Sequence, residues 1–123
     1  MTSPEHVSTH DAPEDVRNEN ILIYVDGNLV PREQAVVSVY DSGFMLGDGV
    51  WEGMRIYDGH IAFMDDHIDR LLEAALYIDL EIGKTREELV QAIHDTLGAN
   101  GMTNDAHIRM MVTRGKKRKP FQH

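Results

Sequence analysis

The spacing of the apolar residues changes near residue 64, and this change restricts the folds that the chain can adopt. Upstream of it, the segments ILIYVDGNLVPR and VWEGMRIYDGHIAF are each interrupted by an Asp-Gly pair. Asp, Asn and Gly tolerate the positive φ of a tight turn, so both segments predict β-hairpins, with turns at residues 26–28 and 58–59. The segment AVVSVYD, which begins at Ala35, predicts another strand between the two hairpins.

Downstream of residue 64, the apolar residues follow the 3.6-residue period of amphipathic helices. The stripe of the first helix consists of Ile68, Leu71, Leu72, Ala75 and Leu76. Asp65 or Asp66 is its expected N-cap. The second helix begins at TREE, where Thr85 and Glu88 form a capping box, and it ends at residues 100–101, Asn-Gly. The stripe of this helix consists of Leu89, Ala92, Ile93 and Leu97.

The last apolar segment, AHIRMMVTRG, alternates with the period of a strand. One face would carry Ala106, Ile108, Met110 and Val112, and the other His107, Arg109, Met111 and Thr113. The order β-β-β-β-α-α-β then predicts an α+β domain. We expect a two-layer sandwich in which two helices cover one face of an antiparallel sheet.

Length and composition exclude several classes of protein. The 123 residues suffice for one domain, and the net charge of −9 argues against a nucleic-acid partner. Cysteine is absent, so neither disulfides nor Cys-ligated metal sites are expected, which fits a cytoplasmic protein. No apolar run approaches the ~20 residues that span a bilayer, so no membrane association is expected. Residues 1–20 are polar and without periodicity, and they predict a flexible tail before a domain at residues 21–115.

The stretch DSGFMLGDGVWEGMRIYDGH contains five glycines, although strand interiors normally avoid glycine. In a strand through it, Trp51, Gly53 and Arg55 share a face, and Arg109 lies on the corresponding face of the last strand. An arginine fork beside a bare glycine could bind the carboxylate of a small molecule. The alternative is that these arginines pair with acidic side chains on a solvated face.

Two further charged residues differ in what their patterns predict. Glu52 lies on the apolar face of the same strand, and a buried carboxylate is costly unless it is paired. We therefore expect it to have a structural partner, such as a backbone N–H or an arginine. Arg70 lies opposite the apolar stripe of the first helix, so the pattern alone predicts a solvated arginine.

The joint order of these motifs resembles the N-terminal domain of the fold-type IV, or class IV, pyridoxal-phosphate enzymes. The motifs are GDGVWEG, then HIDRL, then the IR and TRG of the last strand, and the resemblance extends from about residue 21 to residue 115. The family includes branched-chain aminotransferases, D-amino acid aminotransferases, (R)-selective amine transaminases and aminodeoxychorismate lyase. The resemblance implies pyridoxal 5'-phosphate as cofactor, amino acids and 2-oxo acids as substrates, and a homodimer.

The resemblance also implies roles for individual residues. Arg70 matches the family's H-x-x-R-L arginine, which binds the cofactor phosphate. Trp51 matches an aromatic residue of the substrate pocket, and Arg55 and Arg109 match arginines that hold the distal carboxylate of glutamate or 2-oxoglutarate in branched-chain aminotransferases. These arginines favour that subgroup. Leu46 stands where branched-chain enzymes usually carry a pocket tyrosine, which leaves the exact substrate open.

The resemblance further implies a second domain that supplies the lysine to which the cofactor is attached. None of Lys84, Lys116, Lys117 and Lys119 matches that lysine, so no catalytic residue is expected in this chain. Residues 116–123 would begin an interdomain or active-site loop. We therefore expect the N-terminal part of an aminotransferase, inactive alone, that acts on a branched-chain or similar amino acid and 2-oxoglutarate. The alternatives are the other activities of the family, or a non-catalytic dimerisation or binding module.

Overall fold

A computed structural model describes residues 14–116, and residues 1–13 and 117–123 lie outside the described part. The first hairpin is confirmed: β1 (Leu22–Val25) pairs antiparallel with β2 (Asn28–Pro31). Asp26 and Gly27 form its turn with φ of 49° and 88°, the positive values that this type of turn requires.

The prediction of a strand from Ala35 is wrong. A 3₁₀ turn, Arg32–Gln34, is followed by irregular backbone up to α1 (Ser42–Leu46), which the sequence did not predict. The valines of the segment are exposed, at 72%, 68% and 64% for Val36, Val37 and Val39. With no described strand beside it, β propensity alone does not form a strand here, since such propensity expresses packing against neighbours.

The second hairpin and the last strand form a separate sheet in the order β4-β3-β5. Its strands are β3 (Gly49–Tyr57), β4 (His60–Ile61) and β5 (Ala106–Thr113), all antiparallel, and β4 is only two residues long. In the register of β3 and β5, Gly53 lies opposite Arg109 and Glu52 opposite Met110. The described strands thus form two antiparallel sheets.

The first helix of the prediction is α2 (Met64–Tyr77), and its N-cap differs from the expectation. The N-cap is Phe63, with φ of 54° and no side-chain cap, while Asp65 and Asp66 lie within the first turn. Acidic residues there still interact favourably with the helix dipole. Of the predicted stripe, Ile68, Leu71 and Ala75 are buried, whereas Leu76 is 75% exposed.

The second helix of the prediction is α3 (Arg86–Ala99), and its capping box is confirmed. Thr85 accepts a hydrogen bond from the Glu88 main-chain N–H at 3.1 Å, and the Glu88 carboxylate accepts one from Thr85 N at 2.9 Å. Asn100 is the C-cap, and Gly101 follows with φ of 60°, as the expected stop signal requires.

The core lies between the three-stranded sheet and the helices. Met54, Ile68 and Ile93 come from β3, α2 and α3, and they form one buried cluster. Ile108 and Met110 of β5 pack against it, so the predicted apolar face of that strand is the helix-covered face. The α+β class with helices over one sheet face is confirmed.

Part of the predicted tail is packed against the domain. Residues 16–18 form a 3₁₀ turn, and the Arg17 guanidinium donates to the main-chain oxygens of Asn104 at 2.9 Å and Asp105 at 2.6 Å. The predicted tail boundary at residue 20 is therefore too late, because a side-chain contact across 87 residues holds this segment. The remainder of that prediction, residues 1–13, lies outside the described residues.

Candidate functional site

The outward face of the three-stranded sheet carries the predicted carboxylate-binding residues. Alternation along β3 places Trp51, Gly53 and Arg55 on this face, and the register brings Arg109 beside Gly53. The guanidinium carbon of Arg109 lies 4.2 Å from the centroid of the Trp51 ring, a cation–π geometry. Trp51 is 55% exposed, so this pair forms an aromatic and cationic surface that a ligand can reach.

Gly53 is not the bare patch that the sequence predicted. A Cβ placed on Gly53 would lie 3.0 Å from Cε1 and 3.3 Å from Nε2 of His107, so the imidazole lies against the glycine. His107 is exposed, and its ring can move aside without disturbing the core. The strand alternation already predicted that His107 lies on the same face as Arg109. It could not predict the register of β3 and β5, which places His107 opposite Arg55 and beside Gly53.

The two arginines of this face differ in their partners. Arg55 donates to the Asp105 carboxylate at 3.0 Å and lies 5.7 Å from the Tyr57 ring centroid. Within the described residues, Arg109 has the Trp51 ring beside it and no carboxylate partner. The solvated-face alternative, in which the arginines pair with acids, therefore describes Arg55 and not Arg109.

Glu52 has the arginine partner that its burial predicted. Its carboxylate accepts from Arg70 Nε at 2.9 Å and Arg70 Nη2 at 2.6 Å, and lies 2.7 Å from His67 Nδ1. The Glu52 side chain is 8% exposed and that of Arg70 is 67% exposed. The hydrogen bonds from Arg70, and secondarily from His67, hold the pKa of Glu52 below its ordinary value despite the opposing effect of burial.

The helix pattern predicted a solvated Arg70, and the side chain is 67% exposed, but the pattern did not predict its contact with Glu52. The H-x-x-R spacing places His67 and Arg70 on one side of α2, because residues three apart are neighbours on a helix. Glu52 lies where that side meets β3, and it holds the Nε and Nη2 edge of the guanidinium. Within the described residues, Nη1 has no acceptor, so Arg70 keeps donors for an anion.

The cluster of Glu52, His67 and Arg70 lies on one side of β3, and the Trp51–Arg109 pair lies on the other. The reason is that successive side chains of a strand, here Trp51 and Glu52, point to opposite sides. The Ala62 N–H donates to the main-chain oxygen of Arg55, so the main-chain groups of Arg55 face the edge of β3 on which β4 lies. Main-chain groups alternate between the two edges along a strand, so those of Gly53 and Trp51, two and four residues earlier, face the same edge. β4 pairs only with Ile56 and Tyr57, so this edge is open beside Trp51 and Gly53 among the described residues.

The remaining predicted positions lie on other elements of the chain. Leu46 is 57% exposed at the end of α1, not on the sheet face. Lys84 lies in the segment between α2 and α3, and the main chain of Lys116 forms an isolated antiparallel β-bridge with that of Asp41. Lys117 and Lys119 lie outside the described residues.

Two features are absent from the described part of the chain. Residues 14–116 contain no group of three or more His, Asp or Glu side chains arranged to hold a metal ion. None of the described helices is long and apolar enough to cross a membrane.

The sequence analysis named the TRG motif but predicted no contact for its arginine. Arg114, of the TRG motif, donates to the Asp48 carboxylate at 2.7 Å and to the main-chain oxygens of Ile78 at 2.8 Å and Asp79 at 2.9 Å. It thereby ties the GDG turn to the end of α2 and positions the start of β3. The co-occurrence of TRG and GDG was the only signal in the sequence.

Comparison with known proteins places these residues in context. The model of the family described as "Amino-transferase class IV" matches residues 49–122. The chain is 47% identical over 100 residues to branched-chain-amino-acid aminotransferase-like protein 2 of Arabidopsis thaliana, covering 81% of this chain and 18% of the relative. It is 41% identical over 93 residues to a D-alanine aminotransferase of Listeria monocytogenes, covering 76% and 32%.

The chain is also similar in fold to solved structures of branched-chain aminotransferases. The branched-chain aminotransferase of Thermoproteus uzoniensis with norvaline matches with a TM-score of 0.73 and 33% identity, covering 83% of this chain and 36% of that one. The T.th. branched-chain aminotransferase complexed with N-(5'-phosphopyridoxyl)-L-glutamate gives 0.72 and 31%, covering 80% and 34%. The chain thus spans about a third or less of the length of each of these proteins.

Proposed function

This chain belongs to the class IV aminotransferase family, and from that premise we propose that it is the part of a pyridoxal-phosphate-dependent aminotransferase that recognises substrate and anchors the cofactor phosphate. The proposed reaction transfers an amino group between a branched-chain or similar amino acid and 2-oxoglutarate. The name of the Arabidopsis relative, branched-chain-amino-acid aminotransferase-like, supports a branched-chain amino acid as the donor. The T.th. enzyme's complex with a phosphopyridoxyl derivative of glutamate supports pyridoxal phosphate as the cofactor and 2-oxoglutarate as the acceptor.

The observation that carries the proposal is the arrangement of Arg70. Glu52 occupies one edge of the guanidinium, and the side chain is otherwise exposed, so the Nη1 donors are available to a phosphate oxygen. A guanidinium already held in place loses less conformational freedom on binding an anion than a free one does. The residues present therefore fit one phosphate contact of the cofactor.

The other residues of this chain would bind and orient the substrate. Pyridoxal phosphate, when bound, supplies a ring that accepts the electron pair released at the substrate carbon. Arg109 would hold the distal carboxylate, because its guanidinium has no carboxylate partner in the described part of the chain. Trp51 would form one wall of the pocket, and Arg55 would contribute once its Asp105 contact opens. His107 would move off Gly53 to admit the ligand.

The phosphate contact can be tested on this chain. Pyridoxamine 5'-phosphate and pyridoxamine differ only in the phosphate, and neither reacts with lysine side chains as an aldehyde does. If Arg70 binds the phosphate, the phosphorylated compound should bind about tenfold tighter, and Arg70→Ala should abolish the difference. Arg70→Lys should retain part of it, because lysine keeps the charge and loses the fork. Titration followed by NMR measures both affinities.

Arg86→Ala is the matched control, since Arg86 is a second arginine at the helix layer and pairs with Asp65 and Asp69. This variant should keep the preference for the phosphorylated compound. Equal affinities of both compounds for the unsubstituted chain, or an unchanged preference in Arg70→Ala, would refute the assignment of Arg70.

D-Amino acid transamination is the second candidate, because D-alanine aminotransferases are among the relatives. A complete enzyme that carries this segment distinguishes the two by amino transfer to 2-oxoglutarate from L-leucine or from D-alanine. Transfer from L-leucine alone supports the branched-chain assignment, and transfer from D-alanine alone rejects it. Homodimer formation and a cytoplasmic location remain parts of the proposal; they are supported by the family resemblance and by the cysteine-free sequence, respectively.

A further inference from the structure

The strand β3 and the helix α2 lie side by side and run in opposite directions. Met54 of the strand packs with Ile68 of the helix in the buried cluster. Glu52, two residues earlier in the strand, bonds to Arg70, two residues later in the helix. Apolar packing is not directional, so the Met54–Ile68 contact alone does not prevent the helix from sliding or turning over the strand. The orientation of α2 over β3 therefore depends on polar contacts along the two elements.

Arg114 makes such a contact at the far end of both elements. Its guanidinium bonds to both oxygens of the Asp48 carboxylate, from Nε to Oδ2 at 2.7 Å and from Nη2 to Oδ1 at 3.2 Å. The same guanidinium donates to the main-chain oxygens of Ile78 at 2.8 Å and Asp79 at 2.9 Å. Ile78 is the C-cap of α2, and Asp48 directly precedes β3. One side chain thus joins the start of the strand to the end of the helix.

The spans between these two polar contacts agree along the strand and along the helix. The eight residues from Arg70 to Ile78 span about 12 Å of helix. The four residues from Glu52 back to Asp48 span about 13 Å of strand. Because the spans are nearly equal, the Arg114 contact holds α2 at the axial position at which Arg70 lies beside Glu52.

The main chain that carries Arg114 is itself held on both sides. The Arg114 N–H donates to the main-chain oxygen of Asp48 at 3.2 Å. The main-chain oxygen of the next residue, Gly115, accepts from Ser42 N at 2.8 Å. Arg114 therefore extends from a fixed backbone, and its guanidinium transmits the position of the sheet to the end of α2.

We propose that Arg114 is a positioning residue for the phosphate contact: it holds α2 against β3 so that Arg70 rests on Glu52 and presents Nη1 to the phosphate. The proposal rests on the proposed function, because Arg114 acts on the cofactor only through Arg70. Arg114 is not the anion site itself, since four of the five N–H groups of a guanidinium are engaged by Asp48 and the end of α2.

The alternative is that Arg114 only stabilises the fold. A purely stabilising arginine would change the unfolding free energy and leave the geometry at Arg70 unaltered in the folded molecules. A positioning arginine changes that geometry, and small displacements of a binding group have large effects on the interactions that it makes. The two roles therefore differ in what happens to phosphate recognition.

The test compares pyridoxamine 5'-phosphate with pyridoxamine on the 123-residue chain by NMR titration. In Arg114→Gln, the preference for the phosphorylated compound should fall from about tenfold to about threefold or less, with the affinity for pyridoxamine unchanged. Arg114→Lys should give an intermediate preference, because an ammonium keeps the charge but not the fork that reaches Asp48 and the helix end together. If Arg114→Gln folds poorly, Arg114→Lys carries the same comparison.

A second readout needs no ligand. The Nε–H resonance of Arg70 reports its bond to Glu52, and Arg114→Gln should shift this resonance and speed its exchange with water by about threefold or more. Asn100→Ala is the matched control, because it also loses two hydrogen bonds to main-chain groups, those of Leu22, but none to α2. This variant should keep both the preference and the resonance.

The outcomes separate this inference from the proposed function. No preference in the unsubstituted chain, or an unchanged preference in Arg70→Ala, would refute the phosphate contact and the inference with it. Loss of the preference in Arg70→Ala, together with an unchanged preference and Nε–H resonance in Arg114→Gln, would overturn the role of Arg114 alone. Equal losses of the preference in Arg114→Gln and Asn100→Ala would also overturn it, because they would show a general effect of lower stability.

Discussion

Glu52 is an ionised side chain in an almost fully buried position, and two neighbouring side chains stabilise its charged form. Arg70 and His67 both lie within hydrogen-bond distance of its carboxylate. Their hydrogen bonds lower the pKa of Glu52 in the folded protein, with Arg70 the larger cause. In the unfolded chain the pKa of Glu52 returns to its ordinary value. The ionised Glu52 and its partners therefore stabilise the fold at pH values above the pKa of Glu52 in the unfolded chain. This contribution disappears as the pH falls through the lower pKa of Glu52 in the folded protein.

Glu52→Gln should remove this pH dependence. The amide cannot ionise, so below about pH 5 the unfolding free energy of the variant should fall less steeply than that of the unsubstituted chain. At pH 7 we expect a loss of about 1–3 kcal/mol, because a buried charge-assisted hydrogen bond is replaced by a neutral one. Urea unfolding at several pH values measures both quantities.

Asp105→Asn is the control for this prediction. It removes the carboxylate partner of Arg55, but the Asp105 side chain is 77% exposed. Exposed ion pairs contribute little, so its loss at pH 7 should stay within about 0.5–1 kcal/mol. Parallel pH profiles for Glu52→Gln and the unsubstituted chain would contradict the role of Glu52.

At the scale of elements, the glycines of β3 meet different neighbours. A Cβ on Gly49 would lie 2.6 Å from Val112 O and 3.2 Å from the Thr113 Cα, both main-chain atoms of the paired strand. A Cβ on Gly53 would meet only the His107 imidazole at such short range. Gly49 therefore permits the close approach of two strands, whereas Gly53 shapes the outward face.

Gly49→Ala and Gly53→Ala should accordingly differ in stability. Gly49→Ala should cost about 2–3 kcal/mol, because main-chain atoms of β5 must shift. Gly53→Ala should cost less than about 1 kcal/mol, because an exposed imidazole can rotate away. Urea midpoints of the two variants test this, and equal losses would show that the difference between main-chain and side-chain neighbours does not govern the cost.

At the scale of the whole molecule, the first hairpin is held to the rest by few polar contacts. Asn100, at the end of α3, makes both hydrogen bonds to Leu22 of β1. The β1–β2 sheet has no strand partner in the three-stranded sheet among the described residues. A two-stranded hairpin is only marginally stable alone, so its order depends on this attachment.

Asn100→Ala should therefore loosen the hairpin more than the remainder. Loss of two hydrogen bonds should speed amide exchange of β1 and β2 by about five- to tenfold, with a smaller change in β3. Hydrogen exchange read by mass spectrometry resolves the two regions. Gln91→Ala is the control, since Gln91 on the same helix bonds to the surface residue Asp95. A uniform increase over both sheets would instead indicate one cooperative unit.

Local patterns in the sequence sufficed for elements whose stabilising contacts are near in the chain. The Asp-Gly turns, the capping box of Thr85 and Glu88, and the stop at Asn100 and Gly101 all involve residues within four positions of each other. Alternation in β3 and β5 likewise assigned Trp51, Arg55 and Arg109 to one face, and it predicted a partner for Glu52 on the other. These features were predictable because the interactions that produce them are local.

Only the tertiary structure decided which distant side chains meet. It paired Glu52 with Arg70, which the helix pattern had left in solvent, and it laid His107 over Gly53. It also left the valines after Ala35 without a strand neighbour, where propensity alone had predicted a strand. Each of these outcomes depends on contacts between segments far apart in the chain, and neither periodicity nor propensity contains information about such contacts.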